Sequence, residues 1–223
     1  MKKTLILLII TAFGSVSLLG QEKKVERTFQ ARKGKKLDFN LKFARDIIIE
    51  GWSKNEVFFQ AEVIINHGRN NDLHLLEFNN DPDRLNIESD FKKTDRDNFY
   101  FDCKGQHDEE SYCTRINYKI KIPENANLSI ESISGNIDVK QFSGALYAKT
   151  ISGFVDLGWD QQRGADLSMK TVTGELYSDL EVNFTNRKKE APMVGYNLRG
   201  LVAGGGNNIH LETISNDIFL RKN

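Results

Sequence analysis

Asp138 and Asp156 hold equivalent places in two similar segments, ESISGNIDVK (131–140) and KTISGFVDLG (149–158), each three residues after a glycine. Were those segments neighbouring strands about 4.8 Å apart, the two carboxyls would start near the spacing between the acid and nucleophile of a retaining glycosidase. The one catalytic reading in the sequence is therefore a glycan-active β-helix enzyme using Asp138 and Asp156. That chemistry needs one carboxyl kept protonated by burial. Polar neighbours and Lys140 surround the pair instead, so a solvated, non-catalytic acidic face is the expectation. G-x-S-x-G, phosphate-loop, H-E-x-x-H and C-x-x-C motifs are absent. The glycine-rich GGGNN (204–208) precedes a strand pattern, not the helix that would present its N-terminus to phosphate. His67, His74, His107 and His210 are scattered, and His67 and His74 flank a polar loop where solvated rings are expected. No metal and no cofactor are expected.

A second chemistry is recognition. Tyr147, Phe154, Tyr177 and Phe219 fall at positions expected to face outward. Aromatic rings on a rigid platform can stack on sugars or dock a partner, unless loops or strands of the first half cover them. A surface glycan or an envelope protein is the expected partner. Glu131, Lys149, Lys170 and Glu212 form another outward column. Taken in chain order, its outer pairs attract and its middle pair repels.

Cys103 and Cys113 are the only cysteines, ten positions apart in DCKGQHDEESYC. In an oxidising compartment a disulfide closing this loop is expected. The alternative is a metal site of Cys103, His107 and Cys113 with Asp108, Glu109 or Glu110, although the spacing matches no standard zinc pattern.

These side chains are positioned by a repeat. ESISGNIDVK, KTISGFVDLG, KTVTGELYSD (170–179) and ETISNDIFLR (212–221) align without gaps on Gly135, Gly153, Gly174 and Asn216, at spacings of 18, 21 and 42. Large aliphatics or Met recur seven, five and two residues before that position and two and four after it; only Ala148 and Ser178 break the columns. Period two on each side of a fixed residue reads as strand, sharp corner, strand. Gly and Asn at the corner suit a positive φ, and Ser134, Ser152, Thr173 and Ser215 before it can bond the local backbone. One such unit cannot bury its apolar face alone, whereas stacked units can. The expected fold is an all-β, single-domain parallel β-solenoid (β-helix), with coils of about 18–21 residues over roughly 125–223. The last coil would be an exposed edge, and the coil count across 180–208 is open.

The first half is also β-rich but irregular. Leu37, Phe39, Leu41 and Phe43 alternate, and 45–52, 55–65, 85–89, 99–101 and 116–123 read as further strands. No segment carries a helical period. The 31 Lys+Arg against 31 Asp+Glu argue against a nucleic-acid binder. Met1-Lys2-Lys3, the apolar Thr4–Phe13 and the small residues after it read as a Sec signal peptide over 1–20, cleaved after Gly20 or Ser17. That leaves 21–223 as one exported domain in the periplasm or at the cell surface, with no second apolar span.

In order, RDIIIEGW with NEV, then INYKIKIPENANLSIESISGNIDV, the recurrent [KE]T[IV][ST]G, and GGGNNIHLETISNDIFL resemble the bacterial putative-adhesin β-repeat domain, over about residues 37–222. The resemblance implies a β-solenoid fold, an envelope or surface location and an adhesin-like binding or scaffold role. Residues 180–208 and Asn216 depart from its repeat.

Overall fold

The structure is a computed structural model and describes residues 22–94, 99–101, 112–186 and 195–223. The signal-peptide expectation over 1–20 lies outside the described residues. So does Cys103, and with it His107 and the neighbouring acids of the metal alternative.

Alternating burial marks the central strands of both sheets. In Lys36–Leu41, for example, Leu37, Phe39 and Leu41 are buried while Asp38 and Asn40 are not. In chain order the strands are β1 (Lys23–Gln30), β2 (Lys36–Leu41), β3 (Asp46–Trp52), β4 (Glu56–Ile65), β5 (His74–Asn80), β6 (Arg84–Phe91), β7 (Phe99–Phe101), β8 (Tyr112–Pro123) and β9 (Asn127–Glu131). There follow β10 (Asn136–Lys140), β11 (Leu146–Lys149), β12 (Val155–Trp159), β13 (Ala165–Thr171), β14 (Leu176–Ser178), β15 (Asn183–Phe184), β16 (Tyr196–Val202), β17 (Asn207–Glu212) and β18 (Ile218–Lys222). Two short 3-10 turns precede β5.

The strands form two mixed sheets. The first runs β1-β4-β8-β3-β10-β12-β18-β14, with β7 also on β8; the second runs β15-β16-β13-β17-β11-β9-β2-β6-β5. Their inward side chains make one apolar core. The pairing is parallel through the middle of both sheets, but β1, β4 and β8 pair antiparallel, as do β5 with β6 and β16 with β13 and β15. The sheets are thus not parallel throughout, as a uniform coil would be.

Chain order and stacking order differ. The segment after β14 returns as β15 and β16, antiparallel on the outside of β13. Ala203, Gly204 and Gly205, at φ 47°, 85° and 98°, then turn the chain tightly. β17 slots between β11 and β13, and β18 between β12 and β14. The final coil is therefore interior to both sheets, contrary to the expected exposed edge. The doubled spacing of 42 is the length of this detour.

Four of the five apolar columns line the core: Leu128, Leu146, Leu167 and Ile209, for instance, are all buried. The column two before the corner does not. Ile133 and Ile151 are 39% and 38% exposed, and Val172 and Ile214 are half-buried. Its inward place is taken one residue earlier by Ser132, Thr150, Thr171 and Thr213, all buried. Each hydroxyl crosses to the neighbouring coil. Thr150 Oγ1 donates to the Gly135 carbonyl (2.9 Å), Thr213 to Gly153 (2.7 Å), Thr171 to Asn216 (2.8 Å) and Ser132 to Leu41 (2.7 Å).

Gly135, Gly153, Gly174 and Asn216 all lie in or beside the bends, but none has a positive φ. Close approach is what demands glycine there. A Cβ on Gly153 would fall on the carbonyl of Gly135, and one on Gly174 on that of Asn216. Of the serines and threonines just before the corner, Ser134 donates to the Ala44 carbonyl (3.1 Å) and Thr173 to that of Ile214 (3.1 Å).

Candidate functional site

Asp138 and Asp156 are register partners on β10 and β12, on the outer face of the first sheet. Each is tied to its own cation. Lys140 Nζ lies 2.6 Å from Asp138 Oδ2, and Arg221 Nε lies 3.0 and 2.7 Å from the two Asp156 oxygens. The Asp138 hydrogen bond and charge hold the Lys140 ammonium above its ordinary value, and Asp156 does the same for Arg221. A cleft of about 500 Å³ over this patch is lined mostly by charge, including Glu50, Lys140, Arg221 and Lys222. The arrangement is an ion-pair lattice on an open sheet face, without the apolar enclosure that sets apart the two carboxyls of an acid–nucleophile pair.

The expected aromatic face divides in two. Phe219 and Tyr177 continue the Asp138–Asp156 row onto β18 and β14. Their rings stack, with centroids 5.2 Å apart and planes 8° apart, and Phe154 meets Phe219 edge-on at 6.1 Å. The Arg221 guanidinium sits 4.8 Å over the Phe219 ring. Tyr177 is 47% exposed and its hydroxyl donates to Glu175 at 2.5 Å, while Phe154 and Phe219 are half-buried. Ile133 and Ile151 stand exposed at the corners preceding β10 and β12.

Tyr147 lies on the outer face of the second sheet. Strand register sets one row across that face: Asn79, Asn86, Asp38, Ser129, Tyr147, His210, Ser168 and Arg199. Tyr147 and His210 stack at 4.9 Å with planes 10° apart. The imidazole is anchored on both sides: Nδ1 lies 3.2 Å from Ser168 Oγ and Nε2 lies 3.2 Å from Glu212 Oε2. Beside the stack a slot of about 470 Å³ opens, lined by Lys36, Asp38, Asn127, Ser129, Tyr147, Asn208 and His210, with Leu128, Ala145 and Leu146 as its floor.

The parallel charged row reads Glu131, Lys149, Glu212, Lys170 in space, not in chain order. Insertion of β17 places Glu212 between the two lysines, 3.9 Å from Lys149 and 3.6 Å from Lys170. The repulsive middle pair of the sequence reading does not exist. Burial alone would raise the Glu212 carboxyl. The His210 hydrogen bond and the two lysines outweigh burial and hold it below its ordinary value.

His67 is exposed in a turn, but His74 is not the expected solvated loop residue. It is 2% exposed, and its Nε2 lies 2.9 Å from the Tyr118 hydroxyl among Phe91 and Tyr118 rings. Burial, aided by the Lys23 ammonium, lowers its pKa to about 4, and burial raises the Tyr118 phenol. No motif marks this pair; the alternation of INYKIKIP, which turns Tyr118 inward, is the available signal. Cys113 is the second residue of β8 and its amide donates to Asn66 Oδ1 (2.8 Å). Among the described residues no cluster of three or more His, Cys, Asp or Glu side chains could hold a metal ion, and no helix is long and apolar enough to cross a membrane.

No family model matches the chain, and no curated protein matches it by sequence. Among solved structures it is similar to a "putative cell adhesion protein" from Clostridium sporogenes ATCC 15579. The identity is 10%, the match covers 91% of this chain and 100% of that one, and the TM-score is 0.56. A "putative adhesin" from Bacteroides fragilis NCTC 9343 matches at 9% identity over 92% and 99% of the chains, with a TM-score of 0.21. The first likeness establishes a shared fold over nearly the whole chain.

Proposed function

We propose that the chain is a non-catalytic, exported module of the cell envelope or cell surface, which binds or scaffolds a partner in the manner of an adhesin. The parallel middle of its sheets serves as a short β-solenoid platform. The patch of Phe154, Phe219 and Tyr177 carries this reading. Three aromatic rings in contact, two stacked and one edge-on and one of them 47% exposed, project from β18, from its edge neighbour β14 and from the residue before β12. Such a surface recognises by shape and stacking, without bond-making. The name of the Clostridium protein agrees with that role, and the leader-like first twenty residues and the spaced Cys103 and Cys113 agree with export into an oxidising space. A surface glycan or an envelope protein is the partner class.

Recovery of the protein on intact envelope material tests the reading. Replacing Phe154 and Tyr177 together by Ala should lower recovery severalfold, and replacing Asp138 and Asp156 together by Ala should leave it unchanged. Recovery that ignores the aromatic variant would remove this face. Turnover of an envelope glycan that is lost with the two acids would install the enzyme alternative instead. N-terminal sequencing of exported protein should begin at Gln21, or at Leu18 for cleavage after Ser17.

A further inference from the structure

We propose that the slot beside Tyr147 binds a pyranose ring of a neutral glycan. The proposal deepens the binding-module reading by naming the ligand class of its second sheet face. Its geometry follows from register. His210 covers one face of the Tyr147 ring. On the other side the next row member is Ser129, then Asp38. A serine side chain is too short to cover a phenol, so that side of the ring bounds an open slot. Two strand spacings, about 9.6 Å, separate the β11 and β2 backbones there. A saccharide ring stacked on Tyr147 fits between them.

The platform is stiff before any ligand arrives. Ser168 and Glu212 fix His210, His210 backs Tyr147, and Glu212 is itself gripped by Lys149 and Lys170. Little ordering cost remains for binding.

The rim supplies the polar half of sugar recognition. Asn127 and Asn208 are exposed, Ser129 is half-exposed, and no side-chain hydrogen bond among the described residues engages any of them. Carboxamides and hydroxyls both donate and accept, which matches a sugar hydroxyl. Asp38 is already paired with Arg84 at 3.2 Å. Lys36 adds one cation on the Asp38 side of the slot, but the adjoining groove holds Asp38, Asp81, Glu88 and Glu131 against Arg84, an acidic excess that favours a neutral glycan over an anionic one. Beyond Asp38 the row passes into a polar groove of about 510 Å³ that shares Asp38 and Ser129 and adds Asn40, Asn79 and Asn86. A linear glycan stacked on Tyr147 can run its next unit there.

The probes are cellotetraose, chitotetraose and a β-linked galactotetraose, titrated into isotope-labelled protein and followed by amide shifts. At least one should move Ser129, Tyr147 and Asn208 together. Tyr147→Ala should weaken it about tenfold, the size of one lost aromatic stack, and Tyr147→Phe should retain it. Ser129→Tyr extends the ring ladder into the slot and should abolish binding with Tyr147 intact, which separates occlusion from misfolding. The Phe154→Ala/Tyr177→Ala variant should titrate as wild type. Silence of these amides toward all three probes, or wild-type affinity in Ser129→Tyr, overturns the proposal. Envelope recovery that depends on Tyr177 but not on Tyr147 would remove the slot and spare the broader reading. Loss of all envelope recovery with sugar titration intact would do the reverse.

Discussion

The buried hydroxyls at the corners do work that the aliphatics beside them cannot. Thr150 Oγ1 donates to the carbonyl of Gly135 and accepts the Gly153 amide at 3.3 Å, so two backbone groups at a bend owe their partner to one side chain. Thr150→Val keeps the shape and strands both groups. It should cost about 1–3 kcal/mol in urea unfolding, and Thr150→Ser much less; a valine variant as stable as wild type would mean that these groups find other partners. The column was readable. Positions seven and five before the corner point inward, and strict alternation leads to position three, Ser or Thr in all four repeats. Polarity hid it, because a hydroxyl inside looks wrong until its acceptor on the next coil is known. His74 was less legible, since its burial depends on β1, β6 and β8 closing over a loop-flanking residue. Its pKa of about 4 lies below the 6.5 of an unfolded histidine. The unfolded chain therefore binds the extra proton first, and stability falls as pH drops from about 6.5 to 4. That loss amounts to roughly 3 kcal/mol from this group. His74→Gln, which can still bond Tyr118, should flatten the slope of unfolding free energy across that window. An unchanged slope would place the acid sensitivity elsewhere.

At the scale of elements, the repeat showed which residues make strands, and it could not show the order in which strands stack. The columns are identical in every coil, so apolar burial is equally satisfied by in-order and inserted arrangements. The outward charges are not indifferent. In chain order Lys149 would stand beside Lys170, whereas with β17 between them Glu212 alternates the signs. This row selects against the in-order stack. Glu212→Lys places three lysines in succession and should destabilise by about 1–2 kcal/mol at low ionic strength, with much of the loss recovered in high salt. Glu131→Lys, Lys149→Glu and Lys170→Glu combined in the Glu212→Lys background restore alternation along the whole row and should return most of that stability. Equal stability of the single variant at both ionic strengths would show that the row does not contribute to strand order. The corner glycines were legible as positions but not as causes. Sequence favoured a positive φ, and only coil-to-coil distance reveals that Gly153 and Gly174 give way to a neighbouring carbonyl.

The whole molecule depends on its last coil. Among the described residues, β17 and β18 are the sole pairing between β13–β16 on one side and β11–β12 on the other. Without residues 207–223, β13 and β14 keep no sheet neighbour toward the rest of the chain unless they collapse onto β11 and β12, which brings Lys149 against Lys170. A chain ending at 206 should therefore retain hydrogen-exchange protection through β12 and lose it over β13–β16. A peptide of residues 207–223, carrying both inward rows of Ile209, Leu211, Ile218 and Leu220, should bind the truncated chain and restore that protection. Its affinity should drop when Ile218 and Leu220 are replaced by Ser, because burial of those side chains contributes about 1.5–3 kcal/mol each. Slow exchange over β13–β16 in the truncated chain without the peptide would mean that the in-order stack forms after all. The inserted coil would then be a product of chain connectivity, and the alternating charges of its outer face would follow from that order without having set it.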